Sequence, residues 1–252
     1  MPTVTPKIID ITSMKVACSN CSLRELCLPI GLAPADVDSL DGLINRRRVL
    51  KKGDLLYRMG DSLRSIYAIK QGSIKVSALL EDGRTQVTGF YLPGELLGFD
   101  AISNEKHPCS AEALERTEVC DIPFAELEHL AQAVPGLQHQ LMRIMSREIL
   151  RDEELLMVIG RMTAEERLAT YLLSLSKRYA RLGLSGDELK LCMSRQDIGD
   201  YLGLALETVS RLFSRLQEEG VISSQGRKVY IENRARLQQI SARCSDDRSA
   251  YA

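Results

Sequence analysis

Cys18, Cys21 and Cys27 place three thiols within ten residues, in the spacing Cys-x2-Cys-x5-Cys. Thiolate sulfur is a soft donor that suits an iron–sulfur cluster or zinc. No aromatic or apolar pattern around the three explains them as core residues. Three ligands leave one coordination position to be filled from elsewhere or to stay exchangeable. Cys109, Cys120, Cys192 and Cys244 are the remaining thiols, and spacing does not choose among them. Structural zinc usually draws two compact ligand pairs, so the lack of a second pair weakens the zinc reading without removing it. Isolated cysteines pack as small apolar residues, which is the plain reading for Cys192 and Cys244. His107, His129 and His139 show no ligand spacing and read as surface residues.

A second constellation lies near the C-terminus. Ser194 can cap a helix over Arg195–Leu202, Gly203 supplies a permissive turn, and a second helix runs from Leu206 to Glu218 before Gly220. Val209, Leu212, Phe213 and Leu216 share one face of that helix, and Glu207, Ser210 and Arg211 share another. An N-terminal turn carrying these three side chains suits base edges in a major groove: Arg forks to guanine, Glu accepts from cytosine, Ser reaches thymine. Val221–Ser223 and Arg227–Ile231 read as two strands around a basic turn, a wing for phosphates. The competing reading is an ordinary surface helix pair.

A third pattern is a seam. Met142, Met145, Ile149, Asp152, Leu156 and Ile159 step by 3, 4, 3, 4 and 3, a coiled-coil spacing interrupted by one carboxylate. Two copies paired in parallel would bring Asp152 against its mate, and two close carboxylates repel or take up a proton. The alternative is a helix packed on its own body with Asp152 turned to water.

These groups need a frame of ordinary globular composition: 252 residues, 44% hydrophobic and 27% charged. No apolar run approaches the roughly 20 residues that span a bilayer, and no apolar leader is visible, so a cytoplasmic location with reduced thiols is expected. The net charge of −1 hides an asymmetry: 18 Lys and Arg face 22 Asp and Glu in residues 1–160, against 15 and 12 in 161–252. Turn signals at Gly53, Gly60, Gly72, Asp82-Gly83 and Pro93-Gly94 separate short runs such as Ser65–Lys70, Ser73–Leu79 and Gln86–Leu92, the pattern of an antiparallel sandwich or roll. Helices are expected over Phe124–Ala133, from Pro135 to about Gly160, and from a Thr163/Glu166 capping box to about Arg181. The expected units are a polar cysteine arm (1–30), a β-roll sensor (31–133), a pairing helix (134–160) and a small C-terminal domain (161–252). No Gly-rich phosphate loop, second cofactor motif or nucleophile–base set suggests an enzyme. An iron–sulfur electron-transfer protein remains a competing class.

In this order the pieces resemble the CRP/FNR superfamily of bacterial transcription factors, in its oxygen-sensing FNR/Anr branch. The resemblance spans nearly the whole chain, through CSNCSLRELCLP (Cys18–Pro29), Leu55–Gly72, TGFYLPGELLGFD (Thr88–Asp100), VCDIPF (Val119–Phe124), LMRIMSRE (Leu141–Glu148) and LETVSR (Leu206–Arg211). It implies an α+β fold: a β-roll (double-stranded β-helix) of the cyclic-nucleotide-binding type, a long dimerisation helix and a C-terminal winged helix-turn-helix. It also implies that Cys18, Cys21, Cys27 and Cys120 hold an oxygen-labile 4Fe-4S cluster, with Cys109 a bystander. Asp152 would oppose pairing of a homodimer when the cluster is absent. Glu207, Ser210 and Arg211 would read TTGAT half-sites of palindromic DNA. Residues Leu80–Arg84 correspond to a region that touches RNA polymerase, where Arg84 replaces a common acidic residue. Cyclic-nucleotide relatives hold phosphate with an Arg after a Gly-Glu-Leu segment. Here Gly94-Glu95-Leu96 is followed by no Arg before Arg116, so no cyclic nucleotide is expected. A regulator of the same fold that senses by thiol oxidation or zinc stays open.

Overall fold

The frame is set by strands whose side chains alternate between two apolar layers. In the computed structural model, which describes residues 18–44 and 46–246 with the side chains of Arg46 and 243–246 excepted, the first strands are β1 (Arg46–Leu50), β2 (Leu55–Tyr57), β3 (Ser65–Gln71) and β4 (Ile74–Leu79). They continue with β5 (Thr85–Tyr91), β6 (Leu96–Leu97), β7 (Ser110–Ala113) and β8 (Thr117–Pro123). Two four-stranded antiparallel sheets result, with strand orders β1-β8-β3-β6 and β2-β7-β4-β5. In β3, Tyr67 and Ile69 enter the layer between the sheets with Leu56, Ile74 and Val119, whereas Ile66 and Ala68 face an outer layer with Ile122. Burial on both faces explains why β3 reads as a near-continuous apolar run.

The outer layer is closed by the cysteine arm and two helices, α1 (Pro34–Leu43) and α2 (Phe124–Ala133). Here the arm departs from the expected polar leader. From Cys18 it winds through successive turns, and Leu28 and Leu32 are buried beside Val37 and Leu40 of α1. Residues 1–17 of the arm and the Cys244 side chain lie outside the described residues.

Helix α3 (Pro135–Arg161) follows, then α4 (Ala164–Arg181). Its capping box is in place: the Glu166 amide donates to Thr163 Oγ1 at 3.4 Å, and the Thr163 amide donates to Glu166 Oε2 at 2.7 Å. After β9 (Glu188–Lys190) come α5 (Arg195–Leu202), α6 (Leu206–Glu218), β10 (Ile222–Gln225), β11 (Lys228–Ile231) and α7 (Arg234–Asp246). The wing is three-stranded, in the order β10-β11-β9. Gly203 turns α5 into α6 at φ +66°, a left-handed conformation that favours glycine. The architecture is thus α+β: an antiparallel roll, a long helix and a winged helix-turn-helix. No described helix is long and apolar enough to cross a membrane.

Candidate functional site

Cys120 sits on β8 directly opposite Ala68 of β3 and, on its other side, Arg47 of β1. Alternation turns its side chain outward with Ile122, toward the arm. Ala68 is small, and a cavity of about 40 Å³ opens over it. Cys18, Cys21, Cys27 and Cys120 all line this cavity, with Leu28, Leu40 and Ile122 in its apolar wall and Arg24 and Lys70 at its border, the Lys70 ammonium being paired with Glu118 at 3.1 Å. The arm is held there by a bond to α1 and by its own turns. The Cys18 amide donates to Asp41 Oδ1 of α1 at 2.9 Å, the Cys21 amide to the Cys18 carbonyl at 3.2 Å, and the Cys27 amide to the Leu23 carbonyl at 3.0 Å.

Burial pushes the Cys18 thiol up to about 12, helped by the charge of Asp41, and burial likewise pushes Cys27 up to about 12. Cys120 is also raised, by burial, against the opposing pull of Arg47. Such partial burial favours the neutral thiols, and a thiolate there calls for a compensating positive charge. Four sulfur donors, an apolar wall and flanking cations fit a thiolate-held iron–sulfur cluster. No group of three His, Cys, Asp or Glu side chains among the described residues is disposed to hold a single metal ion.

The other thiols stand apart. Cys109 is half-buried and packs against the apolar cluster between the sheets. Cys192 is buried and donates through Sγ to Glu115 Oε1 at 2.9 Å. The expectation of three surface histidines fails at His107. It is buried, its ring stacks on Tyr57 with centroids 3.7 Å apart, and Nδ1 lies 3.2 Å from Asp100 Oδ1. An aromatic neighbour in space, Tyr57, supplies a core position that linear spacing does not reveal. Lys106 is exposed beside it.

On α6 the apolar residues Val209, Phe213 and Leu216 are buried, while Glu207, Ser210 and Arg211 are exposed together. Arg211 Nη2 touches Thr208 Oγ1 at 3.4 Å, leaving most of its guanidinium donors facing outward. The helix is held by its buried residues, and Arg215 further along it bonds Glu165 of α4 at 2.9 Å.

The long helix leaves its seam uncovered by the chain itself. Met142, Met145, Ile149 and Leu156 are exposed, Leu156 to 71%, and Asp152 is exposed among them. Ile144, Leu137 and Val158 supply the opposite, buried face. Ile159 departs from the seam: it is half-buried, with Cγ2 3.8 Å from where a Cβ on Gly203 would stand. The turn of the helix-turn-helix thus approaches α3 at Ile159, while Leu156, Met157, Gly160 and Arg161 around it stay exposed.

The site and fold define a class, an antiparallel roll coupled through a helix to a winged helix-turn-helix. A cyclic nucleotide-binding domain model matches residues 47–133, and a Crp-like helix-turn-helix domain model matches 166–240. The chain is 48% identical over 214 residues to the transcriptional activator protein anr of Pseudomonas aeruginosa, covering 85% of this chain and 88% of that one. It is 45% identical over 226 residues to the fumarate and nitrate reduction regulatory protein of Yersinia pestis, covering 90% of each. The solved structure of FixK2 from Bradyrhizobium japonicum superposes with a TM-score of 0.73 at 34% identity, over 78% of this chain and 97% of that one. The chain belongs to the CRP/FNR family of transcription regulators, in its FNR/Anr branch.

Proposed function

We propose that this protein is an oxygen-responsive, DNA-binding transcription regulator, mainly an activator, of genes used when oxygen is limiting. It would act in the cytoplasm as a homodimer. The observation that carries this reading is the convergence of Cys18, Cys21 and Cys27 with Cys120 around one apolar cavity. The names of the relatives, a transcriptional activator and a regulator of fumarate and nitrate reduction, support it.

A 4Fe-4S cluster held by these four thiolates supplies the oxygen-reactive centre; the rest is done by the chain in series, from the arm (1–30) and roll (31–133) through the pairing helix (134–160) to the DNA-binding unit (161–252). With its thiolates engaged, the arm stays seated on β8 and the base of α3. Pairing through Met142, Met145, Ile149 and Leu156 then sets two α6 helices about one DNA turn apart. Glu207, Ser210 and Arg211 would read the TTGAT half-sites of a palindrome. Once the arm is released, repulsion between the two Asp152 carboxylates separates the subunits. The exposed turn Leu80–Arg84 between β4 and β5 is read as an RNA polymerase contact, and its Arg84 is engaged by Asp82 at 2.6 Å.

Reconstitution without oxygen, followed by air, tests this. Protein holding iron and sulfide is expected to sediment as a dimer and bind operator DNA, then lose both properties in air. An unchanged dimer that binds DNA equally in air overturns the reading. A colourless, iron-free anaerobic preparation that still responds to oxidants would favour thiol or zinc sensing.

A further inference from the structure

Leu26, one residue before Cys27, packs flush on a glycine turn. A Cβ placed on Gly94 would stand 2.9 Å from Leu26 Cβ, and Gly94 holds φ +84°. Both facts call for a residue without a side chain. The turn is pinned to β3, because the Gly94 amide donates to the Ile69 carbonyl at 2.8 Å and the Ile69 amide to the Glu95 carbonyl at 3.0 Å. Ile69 itself lines the thiol cavity.

The next side chain, Glu95, reaches two other elements. Arg178 of α4 forks onto its carboxylate, with Nε 2.9 Å from Oε1 and Nη2 2.5 Å from Oε2, and Nη2 also donates to the Phe90 carbonyl at 2.5 Å. Arg151 of α3 approaches Oε1 at 3.4 Å, donates to Glu148 at 3.1 Å and lies over the Tyr91 ring. The Arg178 and Glu95 side chains are only 11% and 16% exposed. A forked, largely dry pair of this kind holds geometry far better than a surface ion pair. Burial alone would raise the Glu95 carboxyl, yet Arg178 and Arg151 outweigh it and hold the group below its ordinary range. One carboxylate therefore joins the turn under the arm to the helix residue beside Asp152 and to the domain that carries α6.

We propose that Glu95 is a positioning residue that transmits the seating of the cysteine arm to the pairing helix and to the helix-turn-helix. The proposal rests on the cluster reading above and adds the route by which the arm is felt. With Leu26 seated, the Gly94 turn is held and the Glu95 carboxylate fixes Arg178 and Arg151. With Leu26 withdrawn, a glycine turn gains freedom and the fork loses its fixed base.

The test uses the full chain, reconstituted without oxygen, as wild type, Glu95→Gln, Leu26→Ala and the double variant. Iron and sulfide content, the visible spectrum, sedimentation and operator affinity are measured before and after air. Glu95→Gln is expected to load iron and sulfide as wild type does, yet bind operator about tenfold more weakly without oxygen, a typical coupling. Its affinity should then change little on air exposure. Leu26→Ala should shift in the same direction, and the double variant should be no weaker than Glu95→Gln alone, because both act on one route. If Glu95→Gln does not fold, Arg178→Lys, which keeps the charge and loses the fork, is read against Leu26→Ala by the same criteria. Loaded variants with wild-type affinity and air response, or effects that multiply in the double variant, overturn the proposal. A wild type that takes up no iron and sulfide instead marks failure of the cluster reading, and the proposal falls with it.

Discussion

Cys120 and Cys109 are eleven positions apart and both half-buried, but Cys120 lies on β8 and Cys109 just before β7 of the other sheet, and they face different layers. Cys120 shares the outward parity of Ile122 and meets the arm, whereas Cys109 packs with residues between the sheets. Composition cannot separate two cysteines of the same roll; the parity of β8 and its pairing with Ala68 can. Cys120→Ala should therefore abolish iron and sulfide uptake, while Cys109→Ala should leave both at the wild-type level. Iron and acid-labile sulfide analysis of the anaerobic proteins checks this, and the opposite pattern would transfer the fourth ligand to Cys109. His107 teaches the complementary lesson. It lacks any sequence pattern because its partner Tyr57 is brought to it by strand pairing around β7, not by spacing along the chain.

At the scale of elements, α3 carries the most consequential conflict, an exposed apolar stripe broken by Asp152. Partial shielding from water by its surroundings raises the Asp152 carboxyl above its ordinary range even on this exposed face, against the opposing charge of Arg151. Pairing would bring the two carboxylates together, where unit charges about 4 Å apart repel by about 1 kcal/mol in bulk water and about 4 kcal/mol near a protein surface. The pKa in the dimer then lies above that in the monomer, so pairing takes up protons. Cluster-free protein should dimerise more strongly as the pH falls through this raised pKa, and carry the full penalty above it. Sedimentation across that range checks the slope, and Asp152→Asn should flatten it; a slope that survives the substitution would assign the effect elsewhere. Elements with strong local signals were readable in advance: α2, α5 and α6 keep the expected bounds because a proline, a Ser cap and a glycine turn punctuate them. The arm is not, since Leu28 and Leu32 sit in a stretch broken by Pro29, Gly31 and Pro34 that carries neither helical nor strand period, and they find their layer only when α1 folds beside β3. Strand β9 escaped notice for a similar reason: three residues, Glu188–Lys190, become a strand by pairing with β11.

The whole molecule is held as one piece by a junction that spacing along the chain could not disclose. Val87, Phe90, Leu92 and Leu114 of the roll belong to the same apolar cluster as Leu168, Tyr171, Ile198 and Phe213 of the C-terminal unit. Around it lies a polar rim: Lys75 Nζ meets Asp197 Oδ1 at 2.8 Å, Gln86 donates to the Asp200 carbonyl, and Cys192 donates to Glu115. Both members of the Lys75–Asp197 pair are about four-fifths buried or more, at 16% and 15% exposure. Burial would push Lys75 down, but the hydrogen bond and charge of Asp197 outweigh it, so the ammonium is retained. Asp197 is also bonded to Ser194, which means that removing Lys75 does not strip its helix of its cap. Lys75→Met keeps an unbranched side chain one atom shorter and deletes the charge, and should cost about 2 kcal/mol, the scale of a charged hydrogen bond lost from a largely buried partner. The loss should change little with added salt, because a largely buried pair is poorly screened. Urea unfolding at low and high ionic strength measures both quantities. A loss below about 0.5 kcal/mol that vanishes in salt would show an ordinary surface pair, and the docking of α5 on β5 would then rest on the apolar cluster alone.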